Sequence, residues 1–161
     1  MIVENSNYDD IRRLFRNNNA DYITEWSNEH GIKDENMLKL VYVEDDVAKG
    51  YAIICFDRNF CEVEEYPNNI ENMPEKIAYI WEIVVDKNCG RQGIGSSLLK
   101  YAIEKYSEYT FYSCIEEENI PSRKLHEKFG FKELYHFVGE PFNHKILNEI
   151  MYELRRSRRK R

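Results

Sequence analysis

The run Asn88-Cys89-Gly90-Arg91-Gln92-Gly93-Ile94-Gly95-Ser96-Ser97-Leu98-Leu99 carries the strongest chemical signal in the chain. It follows an apolar stretch, Ile80-Trp81-Glu82-Ile83-Val84-Val85-Asp86, which reads as a buried strand. It leads into Leu98, Leu99, Ala102, Ile103 and Tyr106, which mark one stripe of an amphipathic helix. A strand, a glycine-bearing turn and a helix N-terminus together make an anion site. Glycine lets the backbone approach a ligand closely, the free amides of the first helical turn point outward, and the helix dipole favours negative charge. The expected ligand therefore carries phosphate or pyrophosphate.

Spacing narrows the choice. Gly90-x-x-Gly93-x-Gly95 is not the dinucleotide order G-x-G-x-x-G, and no Gly-Lys-Ser/Thr triplet makes it a Walker A loop. The order Arg91-Gln92-Gly93-Ile94-Gly95-Ser96 resembles the pyrophosphate loop of the GNAT acetyltransferase superfamily. Read alone, it also fits a plain strand-to-helix turn. A second segment, Asn119-Ile120-Pro121-Ser122-Arg123-Lys124-Leu125-His126-Glu127-Lys128-Phe129-Gly130-Phe131, resembles that family's Asn-x-x-Ser/Ala-x-x-Leu-Tyr-x-Lys-x-Gly-Phe motif. The two stand in the family's order, with room for one helix and one strand between them.

The resemblance implies an N-acetyltransferase that moves the acetyl group of acetyl-CoA to a primary amine by direct attack in a ternary complex, without a metal. Backbone groups of Ile83, Val84 and Val85 would meet the pantetheine arm. Amides from Arg91 through Gln92, Gly93, Ile94 and Gly95 to Ser96 would hold the pyrophosphate, with the Arg91 charge adding to them. Gly90 departs from the family's usual Gln or Arg at that position. The cofactor would lie between the strand 77–86 and the strand 110–115, and the acceptor would be walled by 21–29, 57–74 and 139–145.

The transfer needs a base for the amine and an acid for the departing thiolate. Glu82, an acidic residue in an apolar run, is the expected base; its alternative is a strand-edge carboxylate in solvent. Trp81, on the opposite strand face, reads as core or acceptor wall. His126 replaces the family tyrosine and is the expected acid, its charge favoured by Glu82 or Glu117 nearby. Its alternative is a surface histidine, with Tyr135, Tyr79 or water giving the proton. Asn119 matches a family asparagine that touches the cofactor arm and also suits a helix N-cap. Ser122 and Lys128 share its helix and are expected on the cofactor side, although Lys128 also fits a solvated face.

Composition agrees with a soluble single-domain enzyme. With 161 residues, 42% of them hydrophobic and 32% charged, the chain supports one core, expected over 1–154. The start Met1-Ile2-Val3-Glu4-Asn5 is no signal peptide, and no apolar run reaches membrane-span length. Cys55, Cys61, Cys89 and Cys114 show no C-x-x-C spacing, so reduced thiols, a cytoplasmic location and no zinc are expected. His136 and His144 lack metal spacing. The net charge of −6 includes six positive charges in a tail, 155–161; the rest stands six lower, at −12. That acidic body suits a polyamine, an aminoglycoside or a lysine side chain, or is solvated surface. The tail is read as a frayed terminus, against a role on nucleic acid or the ribosome. A non-catalytic acyl-CoA sensor is the other alternative, and the last strand is where a homodimer would form.

The elements that must place these residues follow in the order β-α-α-β-β-β-α-β-α-β-β, a mixed α/β sheet fold. A strand at 1–4 precedes a helix buried through Ile11, Leu14 and Phe15, capped by Asn5 or Ser6 and ended by Asn17-Asn18-Asn19. A second helix is expected over 21–29. Strands 38–44 and 50–56 flank Asp45-Asp46 as a hairpin. A long acidic loop covers 57–74. Strand 77–86, helix 93–106, strand 110–115 and helix 121–129 come next, the last ended by Gly130. Strands 131–138 and 146–154 close the chain.

Overall fold

The computed structural model describes residues 1–4, 8–18, 37–57, 73–90, 92–139 and 146–156. Its contacts divide the chain into two compact units: Met1–Phe56 with Ile80–Tyr106, and Asp57–Tyr79 with Ser107–Arg161. The described elements are β1 (Ile2–Glu4), α1 (Tyr8–Asn18), β2 (Met37–Glu44), β3 (Val47–Cys55), β4 (Ile77–Val85), α2 (Ile94–Lys105), β5 (Thr110–Glu116), α3 (Ile120–Lys128), β6 (Lys132–Val138) and β7 (Asn148–Leu154). This is the expected α/β order; the helix placed at 21–29 and its neighbouring caps lie outside the described residues.

In the first unit the strand order is β1-β2-β3-β4. β1 and β2 pair antiparallel with Ile2 opposite Tyr42, and β2 and β3 pair antiparallel from Met37–Cys55 to Glu44–Val47. Asp45 and Asp46 close that hairpin at φ 53° and 61°. Two consecutive left-handed residues give the turn whose twist matches the flanking strands, and aspartate tolerates that region better than most side chains. The strand therefore resumes at Val47, three residues before the glycine where a strand start was expected. α1 buries Ile11, Leu14 and Phe15, as its periodicity predicts. α1 and α2 both pack on β3. β1 is tied to α2 through Glu4, which accepts from the Tyr101 hydroxyl at 3.1 Å and from the Lys105 ammonium. The lysine contact holds the Glu4 carboxyl below its ordinary range.

In the second unit β7 lies between β5 and β6, antiparallel to both, with Phe111 opposite Leu154 and Val138 opposite Asn148. Phe111, Tyr112, Ile150, Met151 and Tyr152 are buried there. Ile77, Tyr112 and Met151 form one cluster, against which Tyr79, Cys114, Tyr135 and Phe137 pack.

Candidate active site

β4 ends at Val85, and Asp86 turns the chain. Its backbone N–H donates to the Lys49 carbonyl at 2.8 Å, and its carboxylate accepts from the Asn88 amide at 2.9 Å. A short 3-10 turn, Lys87–Cys89, leads through Gly90 to Gly93. Gly93 has φ 75° and ψ 17°, in the left-handed region, and stands as the N-cap of α2. No side chain caps this end, and the first turn holds no acid. The Gly93 carbonyl accepts from the Ser97 amide at 2.9 Å and from its hydroxyl at 3.0 Å. The amides of Ile94, Gly95 and Ser96 therefore precede the first intrahelical bond, and they head a dipole that favours an anion. A Cβ placed on Gly93 would meet no described atom within 4 Å, so space lies open at this helix end. An uncapped, roomy helix N-terminus fits a pyrophosphate. Gln92 is exposed, and Arg91 lies outside the described residues.

Gly50 explains how α2 reaches this position. A Cβ there would stand 2.7 Å from Ile94 Cγ2, closer than real Cβ atoms come, and a tight 3.1 Å from the Val84 carbonyl. Glycine thus lets the first turn of α2 seat directly on β3. Val84 is buried, while Ile83 and Val85 are half-buried.

Glu82 sits within β4 and is 8% exposed. The expectation of a solvent-facing strand-edge carboxylate therefore does not describe it. An unpaired buried carboxylate is costly, and this one has a partner. Tyr51, fully buried in β3, donates its hydroxyl to Glu82 Oε1 at 2.9 Å. Sequence reasoning missed Tyr51, because a tyrosine in the run Tyr51-Ala52-Ile53-Ile54-Cys55 reads as core. Only the strand pairing reveals what its hydroxyl meets.

His126, in the second unit, departs from the alternative of a surface histidine. It is 2% exposed, so it is not a surface residue. Its ring meets Phe131 edge-on at 5.0 Å, and Tyr152 lies 6.2 Å away. Burial pushes its pKa down, opposite to the expected help from a carboxylate. Glu117 instead faces His136, at 3.8 Å. His126 Nδ1 lies 2.7 Å from the Ser122 carbonyl, an acceptor, so Nδ1 carries the hydrogen. Nε2 is buried without a partner among the described residues.

Asn119 is the N-cap of α3, accepting the Ser122 amide at 3.3 Å. Ser122 is thus engaged through both its amide and its carbonyl. Lys128 is exposed, its ammonium 5.7 Å from the neighbouring Phe129 ring centre. Gly130, at φ 91°, follows the helix. His136 lies on β6, 3.2 Å from Glu133, and His144 is outside the described residues. Cys114 was singled out only as a thiol. Burial and the carboxylate of Glu149 push it far up its range, which keeps it protonated. Among the described residues no group of three or more His, Cys, Asp or Glu side chains could hold a metal, and no helix is long and apolar enough to cross a membrane. At the tail, Arg155 pairs with Glu153 at 3.0 Å, and residues 157–161 lie outside the described residues.

Solved structures share this architecture. The ribosomal-protein-S18-alanine N-acetyltransferase of Escherichia coli aligns with a TM-score of 0.73 at 18% identity, over 96% of this chain and 93% of that one. The ribosomal-protein-alanine N-acetyltransferase of Brucella melitensis gives 0.69 at 20% identity, over 96% and 98%. Arabidopsis thaliana NAA60 in complex with acetyl-CoA gives 0.70 at 13% identity, again over 96% and 98%. At such identities the likeness is one of fold. No curated protein matches the chain. The family model of the Acetyltransferase (GNAT) family matches residues 6–131, a span that holds both motifs, the left-handed Gly93 and the buried Glu82. By that match, the chain belongs to the GNAT acetyltransferase family.

Proposed function

We propose that this acetyltransferase moves the acetyl group of acetyl-CoA to a primary amine by direct attack in a ternary complex. The observation that carries the reading is the uncapped left-handed start of α2, directly downstream of the strand that buries Glu82. Acetyl-CoA supplies the activated acetyl thioester. The amides of Ile94, Gly95 and Ser96, preceded in the sequence by Arg91 and Gln92, bind its pyrophosphate. Backbone groups of Ile83, Val84 and Val85 orient its arm. Glu82 removes the amine's proton, directly or through a water. His126 has spent its Nδ1 hydrogen on Ser122, so its neutral ring offers an acceptor at Nε2. It would become an acid only by taking a proton that burial opposes. We therefore place the base function on Glu82 and expect water to protonate the thiolate.

The acceptor class follows from charge and from the relatives. The acidic body favours a cationic amine such as a polyamine, an aminoglycoside or a lysine side chain. Two structural relatives are named for ribosomal-protein alanine, which puts a peptide with an N-terminal alanine in the same panel. The test has two parts. Acetyl-CoA and CoA, but not ATP, should raise the thermal midpoint, since a ligand that binds only the native state stabilises it. Free-thiol release with an amine from the panel should then fall at least about 100-fold in Glu82→Gln, the scale of general-base catalysis. No rise with either CoA species overturns the loop assignment. Stabilisation without thiol release from any amine overturns the transfer reading in favour of an acyl-CoA sensor.

A further inference from the structure

Glu82 cannot be understood as an isolated carboxylate. Gly50 lies under Ile94 and Leu98 of α2, so Tyr51, next along β3, points to the opposite face of the strand. There its hydroxyl reaches Glu82 Oε1 across 2.9 Å, with both side chains removed from solvent. Two basic side chains on the helices packed against β3, Arg13 and Lys105, have engagements of their own. Arg13 of α1 donates to the Ala48 carbonyl at 3.0 Å and lies 3.8 Å from Asp10. Tyr101 and Lys105 of α2 engage Glu4.

We infer that Tyr51 is a positioning residue for the base: its hydroxyl fixes the Glu82 carboxylate in one orientation and stabilises it as an anion inside the sheet. This rests on the assignment of Glu82 above. Two properties make a tyrosine suited to the task. Its ring is locked in the core, so the hydroxyl is delivered without the entropy cost of a mobile donor. The phenol donates a hydrogen bond while remaining neutral, so the ionised carboxylate is favoured over its protonated form. A bond of this kind, to a charged acceptor at low dielectric, is stronger than one between neutral groups. When Glu82 takes the amine's proton, the Tyr51 hydroxyl turns from holding an anion to sharing a carboxylic acid. Tyr51 itself gives up no proton and forms no bond to substrate.

Two measurements decide the matter. The first needs no acceptor. The carboxyl carbon of Glu82, recognised by loss of its NMR signal in Glu82→Gln, is titrated in the wild type and in Tyr51→Phe. Removing the hydroxyl keeps the ring in place and should move the midpoint upward by about one pH unit, the scale of a hydrogen bond to a charged group. An unchanged midpoint overturns the pairing. The second uses the panel amine that releases most thiol. Tyr51→Phe should lower kcat about tenfold, with KM for acetyl-CoA close to wild type and the thermal midpoint lowered by only a few degrees. Introduced into Glu82→Gln, the same change should cost nothing further, because residues acting as a unit are not additive. Equal losses in both backgrounds would make Tyr51 a merely structural residue. Full turnover in Glu82→Gln would remove the base assignment, while the titration would still report whether the pair exists.

Discussion

His126 shows how burial reverses the sign that its residue type suggests. A histidine that gains a carboxylate partner is stabilising when charged. This one is enclosed by Phe131 and lies near Tyr152, and its folded-state pKa is lowered by burial. The unfolded chain therefore binds a proton that the folded chain resists. The stability contributed by the neutral ring is full above the unfolded value near 6.5 and falls as pH drops through the window beneath it. The loss runs at about 1.4 kcal/mol per pH unit until the folded value is reached. Urea unfolding of the wild type and of His126→Phe at pH 7.5 and pH 5 should show the wild type losing stability faster on acidification. Equal slopes would mean that the ring is protonated without cost. Glu82 stood out in the sequence as an acid inside an apolar run, and its burial decides against the solvent-facing alternative. Tyr51 did not, because a tyrosine in an apolar strand reads as core; His126 stood out only by its place in the second motif, and its burial against Phe131 was not legible there.

At the scale of elements, the legible parts were those in which local pattern and packing agree. The apolar alternation of β4 and the stripe of α2 placed both to within a residue or two. β3 begins at Val47 and runs through Gly50, whose missing side chain serves the contact between α2 and β3. Gly50→Ala should therefore cost about 1–3 kcal/mol in urea unfolding, the range for overpacking a filled site. Because Ile94 is the residue displaced, the change should also weaken stabilisation by acetyl-CoA. A variant as stable as the wild type, with the same midpoint rise, would show that the first turn of α2 can lift without consequence. The sense of the anion site was legible because a glycine before an amphipathic stripe exposes amides by geometry alone. The left-handed Gly93 and the lack of a cap were not legible, since a serine or aspartate could have reached back from the turn.

Across the whole molecule, charge is the property that sequence reports most fully, because long-range fields add up irrespective of fold. The chain carries −6, and its six tail charges mask an acidic remainder. Such a field attracts a polyamine and repels acetyl-CoA, so the two substrates should respond to salt in opposite directions. At 0.01 M ionic strength the screening length is about 30 Å, and at 0.15 M about 8 Å. Raising salt across that range should lower kcat/KM for spermidine several-fold, while KM for acetyl-CoA stays level or falls. A peptide with an N-terminal alanine and no other charge should show little dependence. The comparison separates steering from chemistry, because screening acts on encounter and leaves a desolvated Glu82 almost untouched. If spermidine and the singly charged peptide respond alike, the acidic surface plays no part in choosing the acceptor. Acceptor choice would then rest on short-range contacts that net charge does not report.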